Sequence, residues 1–192
     1  MLCVTPLPDT RQLTRSLGSR DIEVAFHRVF LQAFNTRLQG GAEEPEYVPA
    51  GRPDLPHRIL YRSDYAASAL HEVAHWCVAG EARRQLPDFG YWYAPDGRSA
   101  KQQREFERVE SRPQALEWIF SYAAGRRFRV SADNLAAGLG PTEAFRDAVH
   151  RQVREYCIRG LPSRAAGFVA ALTDLSGIEQ PLAIANYQRD SL

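Results

Sequence analysis

The pentapeptide His71-Glu72-Val73-Ala74-His75 limits what this chain can be more than any other stretch. It lies inside an alanine-rich apolar run from Tyr65 to Gly80. That run predicts a helix, with Ser63 or Asp64 as N-cap and Gly80 as the stop. Residues four apart are neighbours on one helix face, so both imidazoles can close on a single metal ion with Glu72 beside them. The same pattern on a polar face would be solvated and inert. Here the neighbours are Leu70, Val73, Ala74, Trp76, Cys77 and Val78, and buried His and Glu side chains are costly without partners. A metal ion supplies the partner. His71 and His75 are therefore candidate ligands, and Glu72 is a candidate catalytic group.

A chain of 192 residues, 44% apolar and 24% charged, suits one soluble domain with a proper core. Its formal net charge of +1 gives no global electrostatic reason to bind nucleic acid or a membrane. Cys3, Cys77 and Cys157 are widely spaced and form neither a disulfide framework nor a CxxC metal site. Cys77, two residues past His75, is expected to be buried and to face away from the metal. Residues 1–20 lack the apolar core of a signal peptide, and no stretch reaches membrane-spanning length. A cytoplasmic monomer is expected.

Along the chain, residues 1–18 read as a flexible N-terminal arm, 19–178 as the catalytic domain and 179–192 as a C-terminal tail. Ser19-Arg20-Asp21 opens a helix predicted to reach about Leu38, with Ile22, Phe26, Val29, Phe30, Ala33 and Phe34 as its core stripe. The punctuated stretch from Gly40 to His57 is a long connection with a short extended piece at Glu46-Tyr47-Val48. Arg58 to Tyr61 reads as a strand, and so does the aromatic run Asp88 to Tyr93. Pro95-Asp96-Gly97-Arg98 has turn chemistry. A polar helix from about Ser99 to Glu110 is expected to stop there, and a second to start at Ser111-Arg112-Pro113 and run to Ala124. Phe128 to Val130 reads as a short strand. Two further helices follow, from Pro141 to about Arg159 and from Leu161 to about Leu175. The sum is an α+β domain, mostly helices around a small β-sheet, with the metal site on a central HExxH helix in a zincin-like arrangement.

A catalytic metal held by two histidines needs a third protein ligand. Glu81 stands six residues past His75, the offset seen in metzincin-type sites. The glycine that permits the turn in those sites is replaced here by Val78, so the fit is poor. Glu107 and Glu110 lie on the next polar helix, and a glutamate from a separate helix is the thermolysin-type arrangement. Glu110 is the better choice, because Val109, Ala115, Leu116 and Trp118 give it the more apolar flank. Solvated surface glutamates are the alternative for both.

Several segments together carry a family resemblance: His71 to Cys77, Asp88 to Tyr93, Pro95 to Arg98, Phe106-Glu107-Arg108-Val109-Glu110 and Pro113-Gln114-Ala115-Leu116. From about Phe34 to about Phe168 the chain resembles the elongation factor P hydroxylase family of bacteria. The resemblance implies an oxygen-dependent hydroxylase. Its substrate would be a lysine of elongation factor P already extended by a β-lysyl group. It also implies Fe(II) held by two histidines and one carboxylate, falling on His71, His75 and the Phe106–Glu110 block. That ligand type suits non-haem Fe(II) with dioxygen as co-substrate. Catalytic zinc takes the same donors, and the resemblance favours iron. Because the histidine pair sits on a helix, the 2-oxoglutarate requirement of β-barrel HxD oxygenases is not implied.

A long substrate side chain bearing amines calls for carboxylates and aromatic faces. Asp88, Tyr91, Tyr93 and Asp96 form the densest such cluster and are the expected substrate-binding residues; core packing of a sheet strand is the alternative for the aromatics. The rival enzyme is a zinc metallopeptidase. In it Glu72 would be the general base, and the strand from Arg58 to Tyr61 would hold an extended substrate at a sheet edge. A third reading is a non-catalytic module with a structural metal.

Overall fold

The computed structural model of the chain describes residues 14–90, 99–131 and 140–192. Asp21 opens the first helix, α1 (Ser19–Phe30), by accepting the Gly18 N–H at 3.0 Å while its other oxygen takes Arg15 at 2.9 Å. Ile22, Ala25, Phe26 and Phe30 form its buried face. The expected continuation to Leu38 does not form. Asn35 has a φ of 45°, a left-handed conformation that Asn tolerates, and the chain turns there into β1 (Thr36–Ala42). Thr36 and Leu38 are buried while Arg37 and Gln39 are exposed, which is strand periodicity. Phe34, expected in the helical stripe, is 38% exposed.

The extended piece Glu46–Val48 forms as expected and is β2; the next strand is β3 (His57–Arg62). The sheet order is β1-β3-β2, with β1 parallel and β2 antiparallel to β3. β3 is therefore central and hydrogen-bonded along both sides. Gly40 in β1 has no room for a side chain: a Cβ there would lie 2.6 Å from the Ser63 carbonyl oxygen and 2.7 Å from the Tyr61 ring.

The helix that carries His71 and His75 is α2 (Ala66–Val78). Neither Ser63 nor Asp64 caps it. Tyr65 holds the N-cap position without a side-chain bond, and Ser63 has a φ of 49°. Trp76 anchors the helix in the core, with ring centroids 5.3 Å from Phe26 and 4.9 Å from Phe30. At its other end, before Gly80 as expected, Arg164 donates to the carbonyls of Trp76, Cys77 and Ala79. A cation there meets the negative end of the helix dipole.

The two helices expected on either side of Pro113 are one, α3 (Ala100–Ala123). Ser99 caps it, and Gln102 reaches back to the Ser99 N–H at 2.9 Å. An interior proline costs about 3 kcal/mol by removing one backbone bond. Burial of Phe106, Ala115, Leu116, Ile119 and Phe120 on both sides of it outweighs that cost. The remaining helices are α4 (Glu143–Arg159) and α5 (Ser163–Ser176), as expected. Phe128 to Val130 joins no strand; Phe128 stacks on Trp118 at 5.6 Å instead.

Residues expected to lie in the terminal segments also pack. Leu17 is fully buried, and its N–H donates to the Ala124 carbonyl at 2.9 Å. Tyr187 is 1% exposed and meets Trp118 edge-on at 5.3 Å. Among the described residues no helix is long and apolar enough to cross a membrane.

Two histidines tie this frame together in their neutral form. His27 Nε2 accepts the Leu38 N–H at 3.1 Å, and His57 Nδ1 accepts the Ala50 N–H at 3.0 Å. Burial pushes both below the ordinary histidine value of 6.5, and Arg84 adds to the effect on His57. The unfolded chain therefore takes up these protons first as pH falls. Stability should be full above 6.5 and decline as pH drops through that value toward the lowered folded ones. Thermal melts between neutral pH and pH ~5 should show the decline, and His27→Gln, whose amide oxygen can still accept the Leu38 N–H, should flatten it. An unchanged slope in that variant would rule His27 out as a source.

Candidate metal centre

Helices α2 and α3 pack against each other. The 3.6-residue repeat of α2 stacks His71 and His75 on the side that faces α3. Their Nε2 atoms are 3.0 Å apart. Glu110 comes from α3 and lies across both, with Oε1 3.3 Å from His75 Nε2 and Oε2 3.8 Å from His71 Nε2. One ligating atom from each residue falls within 4.8 Å of the other two. The side chains of His71, His75 and Glu110 are 21%, 16% and 9% exposed, so the cluster is largely buried and its histidines keep some contact with solvent. One proton can serve only one of these short contacts, and hydrogen bonds alone leave lone pairs facing one another. Two imidazole nitrogens and a carboxylate converging on one point are the donor set of a divalent transition metal.

The other carboxylates separate cleanly. Glu107 is as buried as Glu110 but turns away: it accepts the Thr142 hydroxyl at 2.9 Å. That hydroxyl in turn accepts the Phe145 N–H as the N-cap of α4, so Glu107 ties α4 to α3. Glu81 is exposed beyond the end of α2 and is not in the cluster. Glu72 is half-buried beside the histidines and makes no hydrogen bond among the described residues. Burial raises its carboxyl above the usual range against the pull of His71 and His75. Cys77 is buried outside the cluster, its thiol pushed up to about 12 by burial.

Two residues of the centre escaped the sequence reading. Glu117 Oε2 is 2.8 Å from His71 Nδ1. Gln114 is fully buried, donates to Glu110 Oε2 at 3.4 Å and clasps the Ser131 backbone through both ends of its amide. Glu110, Gln114 and Glu117 stand at i, i+4 and i+7, one face of a single helix. That spacing was present in the sequence, but it carries meaning only when the helix runs through Pro113.

The electrostatics follow from this packing. Burial disfavours a charged Glu110, yet His75 and then His71 hold its carboxyl down at about 2. Burial likewise opposes a charged His71, but Glu117 and Glu110 outweigh it and raise the imidazole well above 6.5. Glu117 itself is pushed up by burial, against the pull of His71 across their 2.8 Å contact.

The expected substrate-binding strand is absent at its described end. Pro87–Gly90 is a tight 3-10 turn in which Asp88 and Phe89 have φ of 46° and 57°. Asp88 Oδ1 accepts the Tyr47 N–H at 2.9 Å, and Phe89 stacks on Tyr47 at 4.2 Å. These two contacts hold the left-handed conformation, which such residues rarely adopt. Tyr91, Tyr93 and Asp96 lie outside the described residues.

A family model described as elongation factor P hydroxylase matches residues 25–187. The chain belongs to that family. The match takes in α2, α3 and α4, and thus every residue of the centre. A curated relative, the elongation factor P lysine hydroxylase of Haemophilus influenzae, is 48% identical over 168 residues, covering 87% of this chain and 94% of the relative.

Proposed function

We propose that this chain is a metal- and oxygen-dependent hydroxylase acting on the β-lysylated lysine of elongation factor P. The observation that carries the reading is the convergence of His71, His75 and Glu110 in a member of this hydroxylase family. These three residues would hold Fe(II). Bound there with open positions, it supplies the redox chemistry that activates dioxygen toward a C–H bond. One oxygen atom enters that bond; the other leaves as water, using two electrons from a reductant. The chain's own residues do the rest. Glu110 and the two imidazoles would fix the position of the ion, and the buried apolar residues of α2 and α3 beside them limit the access of water. Glu72, half-buried and unengaged among the described residues, can hold or deliver a proton at its carboxylate. Glu72, Glu110 and Glu117 gather three carboxyl groups at one place, an acidic surrounding suited to an ammonium-bearing side chain. Asp88 contributes by holding the turn that leads into Tyr91, Tyr93 and Asp96, the substrate-side candidates by residue type.

The zinc metallopeptidase keeps its donor set but loses its substrate strand. β3, expected to hold an extended peptide at a sheet edge, is paired on both sides by β1 and β2. Whole-protein mass spectrometry separates the two chemistries. The Fe(II)-loaded protein in air should add the mass of one oxygen atom to β-lysylated elongation factor P. It should add none without dioxygen and little to the unmodified factor. Cleavage fragments under zinc, with no mass gain under iron and air, would discard the hydroxylase.

A further inference from the structure

We infer that Glu117 is the positioning residue of this centre: it accepts a hydrogen bond from the Nδ1–H of His71 and so holds the imidazole as the tautomer whose Nε2 lone pair faces His75 and Glu110. The inference rests on His71 being a metal ligand. A neutral imidazole carries one N–H, so Nε2 can ligate only when the proton sits on Nδ1. An ionised carboxylate can only accept. With Glu117 Oε2 2.8 Å from Nδ1 and the two Nε2 atoms 3.0 Å apart, an ionised Glu117 selects the tautomer that carries its proton on Nδ1. The arrangement is asymmetric, since no described carboxylate contacts His75 Nδ1.

Packing does not ask for a carboxylate at this place. Glu117 is 8% exposed and follows the fully buried Leu116 on a helix face pressed against α2. A leucine of similar volume would join the two helices without the desolvation of a charge, and replacement of buried ion pairs by apolar groups is often neutral or stabilising. A partner behind a ligating histidine does what leucine cannot: it orients the ring and raises the basicity of the opposite nitrogen.

Glu117→Gln is the informative variant because it keeps the volume and can keep a bridge between α2 and α3. Its amide can also donate to Nδ1, which favours the wrong tautomer, and it brings no charge. Zinc titration and histidine-side-chain NMR of the zinc-loaded protein provide readouts independent of turnover. In the unaltered protein one zinc should bind, and His71 should show a downfield Nδ1–H. Glu117→Gln and Glu117→Ala should keep the circular dichroism spectrum, bind zinc about 10–100-fold more weakly and lose the downfield resonance. Equal zinc affinity and an unchanged His71 signal in Glu117→Gln would overturn the inference and leave the contact as a helix bridge. If the unaltered protein binds no zinc while His71→Ala behaves identically, the metal reading itself falls and this one with it.

Discussion

His75→Ala is expected to abolish stoichiometric metal binding and oxygen-dependent product formation while leaving the helical circular dichroism signal in place. His75 Nε2 is the donor nearest to both others, 3.0 Å from His71 and 3.3 Å from Glu110. Its loss leaves two donors that no longer enclose a point. The affinity should fall by more than the roughly 10–100-fold that removing an outer partner costs. The helix itself should persist. Alanine is the best helix former, and α2 is held from its other side by Ala69, Leu70, Val73 and Trp76, all fully buried. His71→Ala should behave alike. Unchanged metal stoichiometry, or full activity, in either variant would remove these histidines from the centre.

Glu110→Ala and Glu107→Ala should fail in different ways although the residues are one helical turn apart and equally buried. Glu110→Ala should lose the metal, because no other described carboxylate joins the two Nε2 atoms. Some folding stability should go with it, since the folded chain favours the ionised Glu110 through His75 and His71. Glu107→Ala should keep the metal and lose stability instead. It removes the hydrogen bond that ties Thr142 at the start of α4 to α3. Thr142 is exposed and its hydroxyl can turn to water, so the loss should be that of one ordinary hydrogen bond, about 0.5–1.5 kcal/mol. Metal titration paired with denaturant unfolding of the two variants checks both halves. The reverse pattern would move the ligand back one turn.

Those two glutamates show where local pattern stops being informative. Apolar flanks favoured Glu110, and the helices bring that residue to the histidines. Nothing within five residues of either glutamate shows that Glu107 is taken by Thr142, because its partner is 35 positions away. The aromatic run after Pro87 misled for a similar reason. At its described end, Asp88 to Gly90, the strand-like composition is overruled by the Asp88–Tyr47 bond and the Phe89–Tyr47 stack, both made to a distant strand. At Asn35 a run of apolar residues with helical spacing gives way to a turn. Leu38 is worth more paired beside Ile59 in the sheet than one turn further along α1.

The sequence by itself determined the histidine pair, since i, i+4 neighbours on an apolar helix follow from backbone geometry and need nothing from the rest of the chain. It also determined the ends of α4 and α5 and the extended pieces at β2 and β3, where capping residues and strand-forming side chains agree with their surroundings. The tertiary structure alone decided that α3 continues through Pro113. The cost of one missing backbone bond is local, whereas the apolar burial that outweighs it is contributed by α2, α4 and α5. That continuity puts Glu110, Gln114 and Glu117 on one face, and so determines which carboxylate meets the histidines and which one stands behind His71.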